Sequence, residues 1–159
     1  MQNLLADNDF ALELNLGYEH HYRYALPLKS FRLENKLNVI LFFTDHLQLY
    51  QDRADQRHKN GLHLVKPDVI ETMYNNTLPL LKQNFQAIDR LIILDAKKNN
   101  EIILQGIYTR AAEQLRVFDR SSKWFSEDIY PFIEAQLRIK RFENPSLKNW
   151  DDKDFNRNR

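Results

Sequence analysis

The chain has 159 residues, of which 43% are hydrophobic and 28% charged, with three glycines and no cysteine. This length suits one domain that buries a full core without disulfides or metals. The absence of cysteine excludes a disulfide scaffold, a thiolate zinc site and a cysteine nucleophile. The formal net charge of +1 excludes the global basic excess of a protein that coats nucleic acid.

Two short segments near the start have the two-residue period of a strand. In residues 10–16 (FALELNL), apolar side chains alternate with Ala11, Glu13 and Asn15. Residues 20–26 (HHYRYAL) alternate less regularly and end at Pro27, which cannot donate a hydrogen bond to a neighbouring strand. The sequence therefore predicts one or two short strands at the N-terminus.

From Ser30 onward the apolar residues follow the period of a helix. We predict a long helix that begins at Ser30, a favourable N-cap, and ends at the Asn60-Gly61 stop signal. A second helix is predicted to begin at Pro67, with a kink or a break at Pro79. A last helix is predicted over residues 127–142.

Residues 90–109 (RLIILDAKKNNEIILQGIYT) fit two interpretations. They form either two strands around a KKNN turn or the end of one helix and the start of the next. We favour helices, because an apolar helical stripe continues from Leu104 to Phe118.

The sequence thus predicts a mainly helical fold. Residues 1–143 are expected to form a single domain, with a short N-terminal strand or strands followed by about four amphipathic helices in a bundle. Residues 144–159 are polar and are expected to form a flexible tail.

No membrane or export signal is visible. The longest apolar run, residues 39–43, is far shorter than the roughly 20 residues of a membrane helix. Residues 1–9 carry acidic and no basic side chains, unlike the start of a secretory signal. We therefore expect a cytoplasmic protein with no membrane association.

No motif for catalysis or metal binding stands out. The spacing of the five histidines places no pair of ligands on one helix face. Arg53 and His58 match the spacing of the ribonuclease motif of HEPN domains, in which Arg and His act together on a phosphodiester. Exposed helix positions explain these two residues more simply. We predict no enzyme, no metal site and no cofactor, with a HEPN-type ribonuclease as a remote alternative.

Residues 21–40 (HYRYALPLKSFRLENKLNVI) resemble the start of a ribbon-helix-helix protein. In that fold two chains pair their strands into a ribbon that enters the major groove of DNA. The resemblance implies a homodimer in which His21 and Arg23 face the bases. Arginine is the side chain that most often hydrogen-bonds guanine, through two parallel bonds. Lys29 and Arg32 would then lie near the phosphates.

The other candidate strand, residues 10–16, would present Glu13 and Asn15 to DNA instead. An acidic side chain facing DNA is less suitable, because the phosphates are negatively charged. We therefore prefer residues 20–26 as the strand that reads DNA.

Two further stretches, residues 51–55 and residues 89–120, are similar to the AcaB-like proteins of integrative conjugative elements and conjugative plasmids. That resemblance implies a ribbon-helix-helix-type DNA-binding activator of conjugation genes. On this basis we expect a dimeric transcriptional regulator of a bacterial mobile element, with duplex DNA as its partner.

A second hypothesis comes from a different class. A near-neutral helical domain with a polar tail also fits a non-enzymatic protein-binding module, such as an immunity protein, an adaptor or a small subunit of a larger complex. Trp150 and Phe155 stand among acidic residues in that tail. Isolated aromatic side chains of this kind are typical docking residues. The tail is therefore a candidate contact for a protein partner.

Overall fold

The computed structural model describes residues 11–30, 35–97 and 101–143. A 3-10 turn (Phe85–Ala87) precedes the second strand, and a π turn (Phe125–Ile129) precedes the last helix. The helices and strands are, in chain order, α1 (Glu19–Ser30), β1 (Asn38–Phe43), α2 (Leu47–Lys59), α3 (Pro67–Gln83), β2 (Arg90–Ala96), β3 (Ile102–Thr109), β4 (Gln114–Val117) and α4 (Tyr130–Glu143).

The four strands that the structure describes form one mixed sheet in the order β1-β2-β3-β4. β1 and β2 are parallel, whereas β3 pairs antiparallel with both β2 and β4. Parallel neighbours need a long connection, and here α2 and α3 provide it. The register between β2 and β3 shifts at Ile93 and Leu94, where Gln105 is the extra residue of a bulge.

The strands send alternate side chains to opposite faces of the sheet. In β2, Leu91 and Ile93 are fully buried toward the helices, while Ile92 and Leu94 lie on the other face and are half-buried. The buried set forms one core with α3, the 3-10 turn, the π turn and α4. It consists of Leu41, Phe43, Leu78, Leu81, Phe85, Ile88, Leu91, Ile93, Tyr108, Trp124, Phe125, Ile129, Ile133 and Leu137.

Aromatic rings join the helices to the end of β1. The ring of Phe43 stacks on Tyr74 of α3 at a centroid distance of 5.2 Å and meets Trp124 edge-on at 5.0 Å. Tyr50 of α2 packs edge-on against Tyr74 at 5.5 Å. Such aromatic pairs add stabilising free energy beyond that of the area they bury. They therefore fix α2 and α3 against this end of the sheet.

A polar clamp holds the opposite end of the sheet, where β1 and β2 begin. The carboxylate of Asp89 accepts the backbone N–H of Leu37 at 2.7 Å. Nε of Arg110 donates to the carbonyl of Ile88 at 2.8 Å, and another guanidinium nitrogen donates to the carbonyl of Phe85 at 2.9 Å. The guanidinium also lies 3.8 Å from Asp89. Arg110 thus connects the end of β3 to the backbone that leads into β2.

The predicted mainly helical bundle is wrong, because a four-stranded mixed sheet is central to the structure. The predicted strand over residues 20–26 lies within α1, and residues 11–16 of the other predicted strand form no strand. Tyr22 is buried and Leu26 half-buried, and their spacing of four places both on one helix face. The ribbon-helix-helix-like arrangement is therefore wrong as well, since it requires an N-terminal strand.

The long helix predicted from Ser30 is also wrong. Ser30 ends α1, and residues 38–43 (NVILFF) form β1. Short apolar runs fit either period, and the β-branched and aromatic residues of this run favour a strand. The predicted stop at Asn60-Gly61 is confirmed for α2, because Gly61 has a φ of 81° that suits glycine.

The predictions from Pro67 onward had different outcomes. The helix start at Pro67 is confirmed, and α3 continues through Pro79 without a break. The helices favoured over residues 90–118 are wrong, and the alternative of two strands is correct. The last helix is confirmed as α4, with Pro131 in its first turn. The predicted tail, residues 144–159, lies outside the described residues.

We expect Arg110→Ala to lower the free energy of unfolding by about 2–4 kcal/mol, because it removes charged hydrogen bonds to two partly buried carbonyls. Urea denaturation measures this change. Arg138→Ala, at an exposed position of α4, is the control and should change stability by no more than about 0.5 kcal/mol. An equal loss of stability in the two variants would contradict the stabilising role of Arg110.

Candidate functional site

The structure describes the side chains of two of the residues predicted to contact DNA, His21 and Arg23. The ring of His21 is half-buried, with Nδ1 2.9 Å from the backbone of Asn15. Arg23 is exposed and pairs with Glu19 one turn earlier at 3.0 Å. Helix residues two apart do not face the same way, so His21 and Arg23 do not form one reading edge. The side chain of Lys29 and all of Arg32 lie outside the described residues.

The pair predicted for a HEPN-type ribonuclease lies on α2, next to the sheet. Arg53 and His58 are both exposed. Five residues along a helix correspond to a rotation of roughly 140°, so the two side chains diverge. Nδ1 of His58 lies 3.2 Å from the carbonyl oxygen of Leu62, beyond the end of the helix. This placement does not bring the pair together on one substrate.

The described ranges contain neither a metal-binding cluster nor a membrane-spanning helix. No group of three or more His, Cys, Asp or Glu side chains there could hold a metal ion. In the same ranges, no helix combines the length and apolar character needed to cross a membrane. Two other features of the sheet remain as candidates: an apolar face and a polar cleft.

The face of the sheet opposite the helices is apolar, and we call it the open sheet face. Ile40, Phe42 and Ile102 keep 55%, 53% and 55% of their surface exposed, so no described element covers them. Strand pairing places their neighbours beside them in register. The apolar residues of the open sheet face are Ile40, Phe42, Ile92, Leu94, Ile102, Leu104 and Ile107.

Two cationic residues border this face. Arg90 at the start of β2 and Arg116 on the edge strand β4 are exposed and share the outward register of the apolar residues. Asp45 after β1 and Glu101 before β3 are also exposed, but both line a cleft on the helix side of the sheet. The open sheet face therefore has an apolar centre and a cationic border.

A polar cleft of about 390 Å³ opens on the helix side of the sheet, at the end where β1 and β2 finish. It is lined by residues 44–46 after β1, by Asp95 and Lys97 at the end of β2, by Glu101, and by residues 121–123 before the π turn. Because β1 and β2 are parallel, their carboxyl ends meet at one edge of the sheet. Crevices at such edges are common ligand sites in α/β proteins.

Buried polar groups form the floor of this cleft. The described buried polar residues are Thr44, Asp95, Gln105 and Ser122. Thr44, Asp95 and Ser122 line the cleft, and Gln105 accepts a hydrogen bond from the hydroxyl of Ser122. Nε1 of Trp124 donates to Oδ1 of Asp95 at 3.2 Å and orients that carboxylate. Burial of polar groups is costly, so this concentration marks the cleft as more than a packing feature.

A second set of hydrogen bonds holds the loop at the rim. Asp119 accepts the backbone N–H of Ser121 at 2.7 Å and the side-chain amide of Gln105 at 3.3 Å. Hydrogen bonds from Ser121 hold the pKa of Asp119 below its usual value, with smaller contributions from Gln105 and Lys97. The ionised carboxylate thus fixes the loop that carries Ser121 and Ser122.

Tyr50 lies beneath the same end of the sheet. Burial raises the pKa of its phenol to about 12, although a hydrogen bond with the backbone of Thr44 opposes the shift. The ionised form is therefore disfavoured in the folded state.

A weak signal for the cleft is present in the sequence. Asp45 and Asp95 each follow an apolar run, which is the pattern of a polar residue at the end of a buried strand. If both runs are taken as helices, the two carboxylates occupy ordinary exposed helix positions. The correct strands bring them to one edge of the sheet.

We expect the alkaline stability of the protein to depend on Tyr50. Its folded pKa of about 12 exceeds the usual value of 10.0, so its contribution is constant below pH 10. That contribution is lost as pH rises from 10 toward 12, because the phenol of Tyr50 ionises at a lower pH in the unfolded chain than in the folded one. Chemical denaturation at several pH values should show a shallower decline for Tyr50→Phe, and an unchanged slope would contradict the assignment.

Comparison with known proteins finds no matching family model, no matching curated protein and no matching solved structure. The similarity to AcaB-like proteins therefore stays a prediction. The open sheet face and the polar cleft are the two candidate sites in the part of the chain that the structure describes.

Proposed function

We propose that this chain is a non-enzymatic protein-binding module that associates through its open sheet face. The occupant of that face is a second copy of the chain, which gives a homodimer. The observation that carries the proposal is the exposure of Ile40, Phe42 and Ile102 beside half-buried aliphatic neighbours. Contiguous exposed apolar surface with a polar rim is typical of protein–protein contacts.

The size of the face sets the expected strength of the dimer. Strand spacing and rise give a face of roughly 20 by 20 Å, or ~400 Å². A standard stable interface buries about 800 Å² on each partner, so this contact is at the small end. We therefore expect a reversible dimer with a dissociation constant on the order of 10 µM.

An isologous contact between two copies suits this face. A two-fold axis that lies in the plane of the sheet and perpendicular to the strands turns one copy end for end over the other. Arg90 of one copy then lies away from Arg90 of its partner, so these like charges stay apart. The same axis places the apolar centre of one copy on the apolar centre of the other.

Ile40→Lys should weaken the dimer, because it places an unpaired ammonium group in the apolar centre of the interface. We expect the dissociation constant to rise at least about tenfold, measured by sedimentation velocity over a range of protein concentrations. Ile102→Lys, at the other side of the face, should have a similar effect.

Leu62→Lys is the matched control, because Leu62 is 50% exposed and lies between α2 and α3, away from the sheet. It should leave the dissociation constant unchanged. A wild-type chain that stays monomeric at about 200 µM, or equal weakening by all three variants, would overturn the proposal.

Binding of duplex DNA and regulation of mobile-element genes stay predictions. The strand expected to read DNA is replaced by α1, where Arg23 pairs with Glu19. The proposed contact of a protein partner with Trp150 and Phe155 also stays a prediction, since those residues lie outside the described ranges.

A further inference from the structure

The polar cleft on the helix side of the sheet is not used by the proposed dimer. Its floor contains Asp95, of which 4% is exposed, together with Thr44 and Ser122. Its volume of about 390 Å³ is near the lower end of the range for small-molecule sites, roughly 300–1,000 Å³. The cleft is therefore large enough for a small metabolite and too small for a folded partner.

The charges that line the cleft are nearly balanced. Carboxylates come from Asp45, Asp95 and Glu101, while cationic or basic groups come from Lys97, Lys123 and His46. His46 lies 3.4 Å from Asp45, so these two groups satisfy each other at the rim. A net anion would meet the carboxylates and a net cation would meet the lysines. A ligand that carries one charge of each sign fits this lining best.

We propose that the cleft binds a small zwitterion with one ammonium and one carboxylate group, the chemistry of a free α-amino acid. The ammonium group binds the carboxylate of Asp95, which Trp124 orients through its Nε1–H. The ligand carboxylate binds Lys97 and Lys123 at the rim. This inference is independent of the proposed dimer, because it concerns the opposite side of the sheet.

The backbone around the cleft supports an anionic group at its rim. α2 begins at Leu47, directly after the cleft residue His46, and the helical segment that leads into α4 begins at Lys123. Helix N-termini carry partial positive charge and add to the two lysines. Lys123 lies 3.9 Å from Glu127, but both side chains are largely exposed, so a ligand carboxylate can compete with that ion pair.

Trp124 provides a direct readout of binding. The chain has two tryptophans, Trp124 and Trp150, so Trp150→Phe leaves Trp124 as the only fluorophore of this type. A ligand that binds Asp95 changes the polarity around the Trp124 indole and hence its emission. We would titrate this variant with each of the common L-amino acids, and in parallel with acetate, methylammonium and inorganic phosphate.

At least one amino acid should bind with a dissociation constant below about 1 mM, and at least about tenfold more tightly than acetate or methylammonium. Asp95→Asn keeps an acceptor for Trp124 and removes the charge, so it should weaken binding at least about tenfold. Lys97→Gln should weaken binding about fivefold or more, and Lys59→Gln, an exposed lysine on α2, should have no effect.

The proposal is overturned if no amino acid changes the emission of Trp124 up to about 10 mM. It is also overturned if acetate, methylammonium or phosphate binds as tightly as the best amino acid. Circular dichroism checks the fold of Asp95→Asn. If that variant does not fold, Lys97→Gln is the deciding variant. The proposed site is then contradicted if Lys97→Gln weakens amino-acid binding no more than Lys59→Gln does.

Discussion

The parallel pairing of β1 with β2 determines where the other elements lie. Two parallel neighbours cannot be joined by a tight turn, so α2 and α3 must connect them. The same pairing brings the carboxyl ends of both strands to one edge of the sheet, and it is there that Asp45 and Asp95 line a common cleft. At the other edge, Asp89 and Arg110 hold the backbone where both strands begin. Core packing by Phe43, Ile93 and their helical partners stabilises this arrangement from one side.

The one-sided core explains the two functional proposals. A sheet has two faces, and α3, α4 and the two short helical turns bury their apolar side chains in one cluster against one of them. No described element covers Ile40, Phe42 and Ile102 on the other face, and their exposure is costly unless a partner covers them. The cleft lies on the covered side, at an edge where polar groups rather than apolar ones are buried. A dimer and a small ligand can therefore bind the same sheet without competing for one surface.

The sequence predicted the elements whose boundaries depend on proline and glycine. Pro67 fixes the start of α3 and Gly61 suits the turn after α2, because the conformations of these residues are restricted or unusual. The strands were missed because Val39–Phe43 and Leu91–Leu94 are continuous apolar runs, which match a buried helix as well as a strand. The cleft and the open sheet face depend on pairing between segments about fifty residues apart (Ile40 with Ile92), which no local pattern contains. The alternation in residues 20–26 was misleading because α1 buries Tyr22 and Leu26 on one face.

Both proposed sites depend on the register of β1 against β2, and disulfide trapping measures that register. The chain has no native cysteine, so a double variant with Ile40→Cys and Ile92→Cys contains only the two thiols of interest. These positions are partners in adjacent strands, with Cα atoms about 5 Å apart, which suits a disulfide. Under mild oxidation in dilute solution, we expect rapid intramolecular cross-linking of this pair. The double variant Ile40→Cys with Ile102→Cys, two strands apart, should stay reduced. Failure of the first pair to cross-link, or equal cross-linking of both pairs, would contradict the parallel pairing and everything that depends on it.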